Sequence, residues 1–393
     1  TKHHVLRRHD DRCAVRRVQN VVGRHHEHAG FKLGFKRERH VNGHLVAIEV
    51  GVERGADERV QLDGLAFDQL RLERHGYETL DNSVLMAIQA ARQLPISGIA
   101  NSQIGINIGS SRGATGLWEQ YFKAFQEEGK VSPFTSPTTT LGNISSWVAQ
   151  DLGARGITIE HSVTCSTALH AVLNGIAWLC SGMADGFIAG GSEAALTPFT
   201  LAQMKALRLY SKETHERPCE SMRFQKKRNT MVLGEAAAVA FLEAKVSERT
   251  QAVISGWGFA TENISHGSAI SEDAQCFQKS MKAALQQAQL DTVDVIVMHA
   301  PGTVKGDLAE KSAIDTVFGR QLPLLTSNKW LVGHTFAASG MLSLELAVMM
   351  LQHNQFIENP FYSNRRHLPN ELQIVMVNAV GFGGNAVSLI VSK

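Results

Sequence analysis

From about Tyr77 onward, hydrophobic positions fall into two kinds of short run that alternate along the chain. Val84, Leu85, Ile88, Ala91 and Leu94 form one stripe at helical spacing, which predicts a helix over Leu80–Leu94. Ile104–Gly109 reads as a short apolar strand that ends in the turn Gly109-Ser110-Ser111. Ser132–Leu141, rich in Ser, Thr and Pro, reads as an ordered loop, and Asn143–Leu152 as a helix ended by Gly153. There follow a strand at Ile157–Glu160, a long apolar helix from about Ser166 to Cys180, and a buried strand Phe187–Ala189 closed by Gly190-Gly191. Strands at Val239–Leu242 and Ala252–Gly256 precede a helix Asp273–Ala288 and a strand Val293–Met298. Glu310–Phe318 is helical, Leu322–Thr326 extended and Ala337–Leu351 helical again; Ile374–Val377 and Ala386–Val391 close the chain as paired strands. This alternation predicts an α/β fold with largely parallel pairing. Proline is scarce and no Gly/Ser linker divides the region, so it reads as one intertwined unit.

Composition narrows the picture. Of 393 residues, 44% are hydrophobic and 7% aromatic, which supports a large core and excludes a disordered protein. Lys and Arg number 39 against 37 Asp and Glu, and the resulting +2 argues against nucleic acid as the main partner. No apolar run reaches the length of about 18 residues that a membrane span needs. The charged Thr1–Asp11 lacks the apolar stretch of a signal peptide. Five cysteines, with no CxxC and no regular spacing, fit a reduced cytoplasmic protein without a disulfide framework or structural zinc.

Residues 1–75 stand apart. They hold 9 of the 17 histidines, and 12 Arg and 3 Lys against 11 Asp and Glu, a net +4. A His-rich arm for metal or nucleic acid, using His25, His26 and His28, is one reading. Against it, His-His-Glu-His has no further ligand set, and the basic residues are interspersed with acids. A divergent N-terminal subdomain is a second.

Candidate chemistry centres on Val163-Thr164-Cys165-Ser166-Thr167, which places a cysteine between a strand and a long helix. Free N–H groups and the macrodipole at a helix start favour an anion, so the thiol of Cys165 is expected to ionise more readily there. Taken alone, a small buried thiol is the plainer reading. His299, in His-Ala-Pro-Gly-Thr, follows the strand Val293–Met298, at the edge where α/β sites assemble. His334 ends Lys329-Trp-Leu-Val-Gly-His, just before a helix, and Val380-Gly-Phe-Gly-Gly-Asn385 forms a glycine-rich loop around Phe382.

Together these motifs make residues of about 77–393 resemble the β-ketoacyl-acyl-carrier-protein synthases of the condensing-enzyme, thiolase-fold superfamily. Ile188-Ala-Gly-Gly-Ser-Glu-Ala194 and Met231-Val-Leu-Gly-Glu235 match further family segments. The resemblance implies a duplicated five-layered αβαβα fold, with a half at 77–250 carrying the nucleophile and a half at 251–393 carrying both histidines. It implies a decarboxylative Claisen condensation of an acyl thioester on Cys165 with malonyl-acyl-carrier protein. His299 and His334 would be the catalytic histidines, with Lys329 and Glu310 supporting them. The backbone N–H groups of Cys165 and Phe382 would form the oxyanion hole, and Phe382 with Gly381, Gly383 and Gly384 the gate. No metal or cofactor is implied; the partners would be acyl and malonyl carrier protein and a second ketosynthase-type chain, identical or not.

Near relatives fit less well. A chain-length factor lacks the nucleophile, synthases primed from coenzyme A use Cys-His-Asn, and a biosynthetic thiolase needs a second cysteine beyond Cys276. Ala-Pro-Gly-Thr after His299 and Asn229-Thr-Met231 depart from the commoner family text, toward branches that make aryl-polyene or resorcinol-type lipids. The family's first strand and Gly-rich turn have no counterpart in residues 1–76. The preferred reading of that segment is translation from the wrong frame or strand, which would leave a sheet edge uncovered and the protein inactive or poorly folded.

Overall fold

The computed structural model describes residues 13–21, 51–52, 64–94, 96, 103–141, 143–248, 250–263, 270–364 and 368–393. His25, His26 and His28 lie outside the described residues. In chain order the elements begin with β1 (Cys13–Val21), β2 (Gly51–Val52), α1 (Gly64–Glu73), α2 (Asn82–Ala91), β3 (Ile104–Gly109) and α3 (Thr115–Glu128). Next come α4 (Thr135–Thr139), α5 (Asn143–Leu152), β4 (Thr158–Ile159), α6 (Thr167–Cys180), β5 (Gly186–Glu193) and α7 (Pro198–Ala206). β6 (Gly234–Glu243), β7 (Ala252–Thr261), α8 (Gln275–Ala288), β8 (Val295–Val297) and α9 (Val304–Phe318) follow. β9 (Leu324–Thr326), α10 (Lys329–Val332), α11 (Ser339–His353), β10 (Ile374–Gly381) and β11 (Asn385–Ser392) complete the chain. Helices α1, α3 and α7 go beyond the elements predicted from periodicity, and the expected loop at Ser132–Leu141 holds the short α4.

The hydrogen-bonded order is β4-β3-β5-β6-β1-β7-β11-β10-β8-β9, with β2 on β6. Parallel pairing is confined to the two ends, where β3 joins β4 and β5, and β8 joins β9 and β10. The pairs between are antiparallel, which corrects the expectation of a largely parallel sheet. For β10 and β11 the reason is the link: three residues make a hairpin, whereas a parallel neighbour needs a crossover of a dozen or more. The expected open edge is also corrected. Backbone of β1 runs along β6 from Ala14↔Glu243 to Val21↔Ala237, and Cys13–Val15 also pair with β7. A buried strand such as β6 needs partners for its N–H and C=O groups, and the valines at 15, 18 and 21 give this stretch the β-branched content that suits extended backbone.

Apolar side chains gather in three main clusters that define the layers. In the centre α6 and α11 lie between the two half-sheets, with Leu169, Val172, Met341 and Leu344 fully enclosed. Outside the first half-sheet α2 and α5 cover β3 and β6. Outside the second, α8 covers β7 and β11, and α9 packs against α8, with Phe277, Met281 and Ile314 in their shared cluster. The result is five layers, αβαβα. Local chemistry sets the helix starts: Asp81 accepts from the Ser83 N–H at 2.9 Å ahead of α2, and Thr303 caps α9 through the Gly306 N–H. No described helix is long and apolar enough to cross a membrane.

Candidate active site

Cys165 lies in a tight turn, Thr164–Ser166, immediately ahead of α6. Hydrogen bonds from every side hold the turn. Thr167 Oγ1 donates to the Thr164 carbonyl at 2.6 Å and accepts from the Val163 N–H at 2.9 Å. Ser111 Oγ, from the end of β3, also donates to the Thr164 carbonyl at 2.7 Å. Thr164 is held at a φ of 48°. The two motif histidines have such neighbours as well: Ala300 at 27° and Phe336 at 44°. Left-handed non-glycine residues cost of order 1–3 kcal/mol each and gather where a site dictates the backbone.

The electrostatics of Cys165 correct the expectation of a readily ionised thiol. Burial raises its pKa to about 12, the Glu193 carboxylate adds to the rise, and Lys329 only partly opposes it. A helix start is worth at most about 2 kcal/mol, or roughly 1.5 pKa units, which is less than burial here imposes. The free thiol is therefore protonated at neutral pH.

His299 follows β8 and His334 follows α10, and the fold brings their rings together at 5.4 Å between centroids and 86° between planes. Both are buried. Burial and the neighbouring Lys329 charge lower His334 to about 3, and burial, Lys329 and His334 hold His299 well below its ordinary value. Two neutral imidazoles result. His334 Nδ1 accepts the Phe336 N–H at 2.9 Å, so the proton of the neutral ring sits on Nε2. Backbone bonds fix the same residue in place, its N–H donating to Val232 C=O and its C=O accepting from Gly234 N–H. Among the described residues His299 Nδ1 has no hydrogen-bond partner, although it is buried.

Glu310 and Lys329 sit behind this pair. Glu310, on α9, takes the N–H of His299 on Oε1 (2.9 Å) and that of Ala300 on Oε2 (2.8 Å), with Asn378 Nδ2 at 3.3 Å. Burial lifts Glu310 to about 7 and lowers Lys329 to about 8; the two opposite charges favour each other's ionised form. The glycine loop is the tip of the β10–β11 hairpin, with Gly383 and Gly384 at φ of 93° and 67°. Gly381 packs against the Cys165 turn so closely that a Cβ would stand 2.1 Å from Thr164 Oγ1 and 2.4 Å from Val163 O. Phe382 is 39% exposed at the tip.

The geometry adds residues that motif reading left without a role. Glu193, at the end of β5, is fully buried and accepts from Ser110 Oγ, Ser111 N–H, Arg112 N–H and Ala337 N–H. It thereby joins the turn after β3 to the segment after His334. A carboxylate ending an otherwise apolar strand was the available signal. Phe336, which tilts against His334 at 5.4 Å, shares an apolar cluster with Cys165, Leu201, Met204 and Tyr210. Lys226 and Asp307 form a buried ion pair below the His299 loop, where Asp307 also takes the Gly302 N–H.

Comparison with known proteins agrees with this layout. Residues 67–247 match the family described as beta-ketoacyl synthase, N-terminal domain, and residues 251–361 its C-terminal domain. The first match begins upstream of Tyr77. The chain is 30% identical over 341 residues to 3-oxoacyl-acyl-carrier-protein synthase 2 of Coxiella burnetii, covering 80% of this chain and 82% of that one. It is 29% identical to the Vibrio cholerae protein of the same name, covering 74% and 76%. Among solved structures it resembles a ketosynthase in complex with its chain length factor from Xenorhabdus doucetiae, with TM-score 0.70, 22% identity and 86% of each chain covered. A beta-ketoacyl synthase from Burkholderia phymatum superposes with TM-score 0.67 at 23% identity, covering 80% of this chain and 83% of that one. With both halves of the family present and the paired histidines and buried cysteine in one site, the chain belongs to the β-ketoacyl synthases, acyltransferases of the condensing type.

Proposed function

We propose that the chain condenses an acyl group held on Cys165 with malonyl-acyl-carrier protein, giving a β-ketoacyl-carrier protein two carbons longer and CO2. In the first half-reaction Cys165 sulfur attacks the acyl thioester, and the departing carrier thiolate takes up the proton that Cys165 loses. The backbone N–H groups of Cys165 and Phe382 hold the oxyanion, a role supported by the packing of Gly381 on the cysteine turn. In the second, the malonyl C–C bond to the carboxylate breaks and its electron pair passes into the enolate. His299 and His334 donate to the enolate oxygen through Nε2. The carbon then attacks the acyl carbonyl, the C–S bond to Cys165 breaks, and the thiolate takes up a proton from water. Lys329 and Glu310 position the histidines, and Phe382 gates acyl entry.

One observation carries this reading: the Phe336 N–H occupies His334 Nδ1, which makes that ring a neutral Nε2 donor rather than a base. A donor serves charge that exists only after decarboxylation. The test is release of CO2 from malonyl-carrier protein by the wild type beside Cys165→Ala and His299→Ala. Loss in His299→Ala is expected, and equal rates in all three would overturn the assignment.

Two features support the partners. A cavity of about 1260 Å³ beside the His299 loop is lined by Lys205, Arg208, Lys212, Lys227, Arg228 and Lys305, with Glu213 as its acid, which suits an acidic carrier protein. Strand β4 ends the sheet, and α3 exposes Trp118, Phe122 and Phe125 by half or more, which suits a second ketosynthase-type subunit. The substrates belong to fatty-acid or polyketide, aryl-polyene-type synthesis.

A second reading, an inactive or poorly folded homologue that acts at most as a heterodimer partner, is favoured by residues 1–66, which lie outside the family match. A soluble dimer that labels at Cys165 with an acyl analogue supports the enzyme; aggregation without labelling supports the homologue.

A further inference from the structure

Arg112 is an unexpected residue beside this site. It follows β3 in the turn Ser110–Gly113, where its backbone N–H is held by Glu193 at 3.1 Å. Its guanidinium lies 5.6 Å over the ring of Phe336, the same ring that leans on His334 and shares an apolar cluster with Cys165. Among the described residues the acceptor of its side chain is the neutral amide oxygen of Gln203, on α7 between Leu201 and Met204 of that cluster. Its Nε is buried and has no partner among the described residues.

A guanidinium cannot shed its charge, and a buried N–H without an acceptor carries the full cost of its desolvation. A saturated acyl chain in this cluster would leave that cost standing. A chain bearing an oxygen acceptor would remove it, and the flat fork of arginine suits carbonyl and carboxylate oxygens. We propose that Arg112 is a specificity residue for the acyl group on Cys165, selecting chains that carry a ketone, phenol or carboxylate oxygen over saturated hydrocarbon. This rests on the condensing function proposed above.

The test is the rate at which Cys165 is acylated, followed by intact mass, with pantetheine thioesters of octanoate and of 3-oxo-, 5-oxo- and 7-oxo-octanoate. The positional series locates the oxygen that Arg112 reaches. In the wild type at least one oxo chain is expected to react about 10- to 100-fold faster than octanoate, the worth of a hydrogen bond to a charged group. Arg112→Met removes this preference while its octanoate rate rises, a gain that a misfolded variant would not show. Arg112→Lys, which keeps the charge and loses the fork, falls between. An unselective wild type, or a preference that survives in Arg112→Met, overturns the role of Arg112. No acylation by any of the four thioesters overturns the condensing function itself, and the role of Arg112 with it.

Discussion

Replacing Gly381 by alanine tests how the hairpin tip and the Cys165 turn work as one unit. Gly381 is not among the left-handed glycines, so alanine meets no backbone strain there and the cost is one of space. The new Cβ would stand 2.1 Å from Thr164 Oγ1 and 2.4 Å from Val163 O, where ordinary contacts begin at 3.4 Å. Hairpin and turn must therefore part by about 1 Å. Overpacking of this kind costs about 1–3 kcal/mol of stability. With the oxyanion role proposed for the Phe382 N–H, the larger effect falls on catalysis, since the same displacement moves the hairpin tip away from the Cys165 turn. A misplacement of about 1 Å costs on the order of 100-fold in rate. Purified Gly381→Ala is assayed for kcat/KM in condensation and for unfolding free energy in urea. Thr164→Ala combined with Gly381→Ala removes the nearer of the two contacts and recovers part of the loss. A single variant within about threefold of wild-type kcat/KM and unchanged in stability would refute the packing argument.

Alkylation of Cys165 by iodoacetamide is expected to rise about tenfold per pH unit with no plateau below pH 9, because the thiol titrates near 12. Glu193→Gln moves that profile to lower pH, since a raising charge is removed, and lowers stability because donors that met a carboxylate now face an amide. For Lys329 the folded pKa of about 8 lies below the ordinary 10.5, so the unfolded chain binds more protons between those values. Stability from this group is thus complete above pH 10.5 and lost as pH falls through 8. Wild type minus Lys329→Met, measured by urea unfolding across that window, should change by on the order of 3 kcal/mol. Reversing Lys227 and Arg228 to glutamate raises KM for carrier-bound substrates and leaves pantetheine thioesters unaffected; an equal effect on both would remove the groove from carrier docking. The family match from residue 67 moves the expected boundary at 76 upstream; we also propose that residues 1–66 come from the wrong frame or strand: one of the other five frames of the coding DNA is expected to encode a strand and Gly-rich turn, and none doing so ends the idea.

Much of this protein was legible before any coordinates. Periodicity marked most of the helices and strands from Leu80 onward, because each buries one face and its apolar spacing records which. The motif text singled out Cys165, His299 and His334, since a tight turn ahead of a helix and the loops after β8 and α10 need particular neighbours in sequence. The tertiary structure decided what depends on residues distant along the chain. Strand direction in the middle of the sheet followed from the hairpin and from β1, not from the alternation of elements. The protonation of the site reversed the local expectation for Cys165, because burial and Glu193, contributed by another strand, outweigh the start of its own helix. The neutral Nε2 donor of His334 and the unpartnered Nε of Arg112 arise the same way. A hydrogen bond, or the lack of one, belongs to a pair of groups, and only folding determines which groups meet.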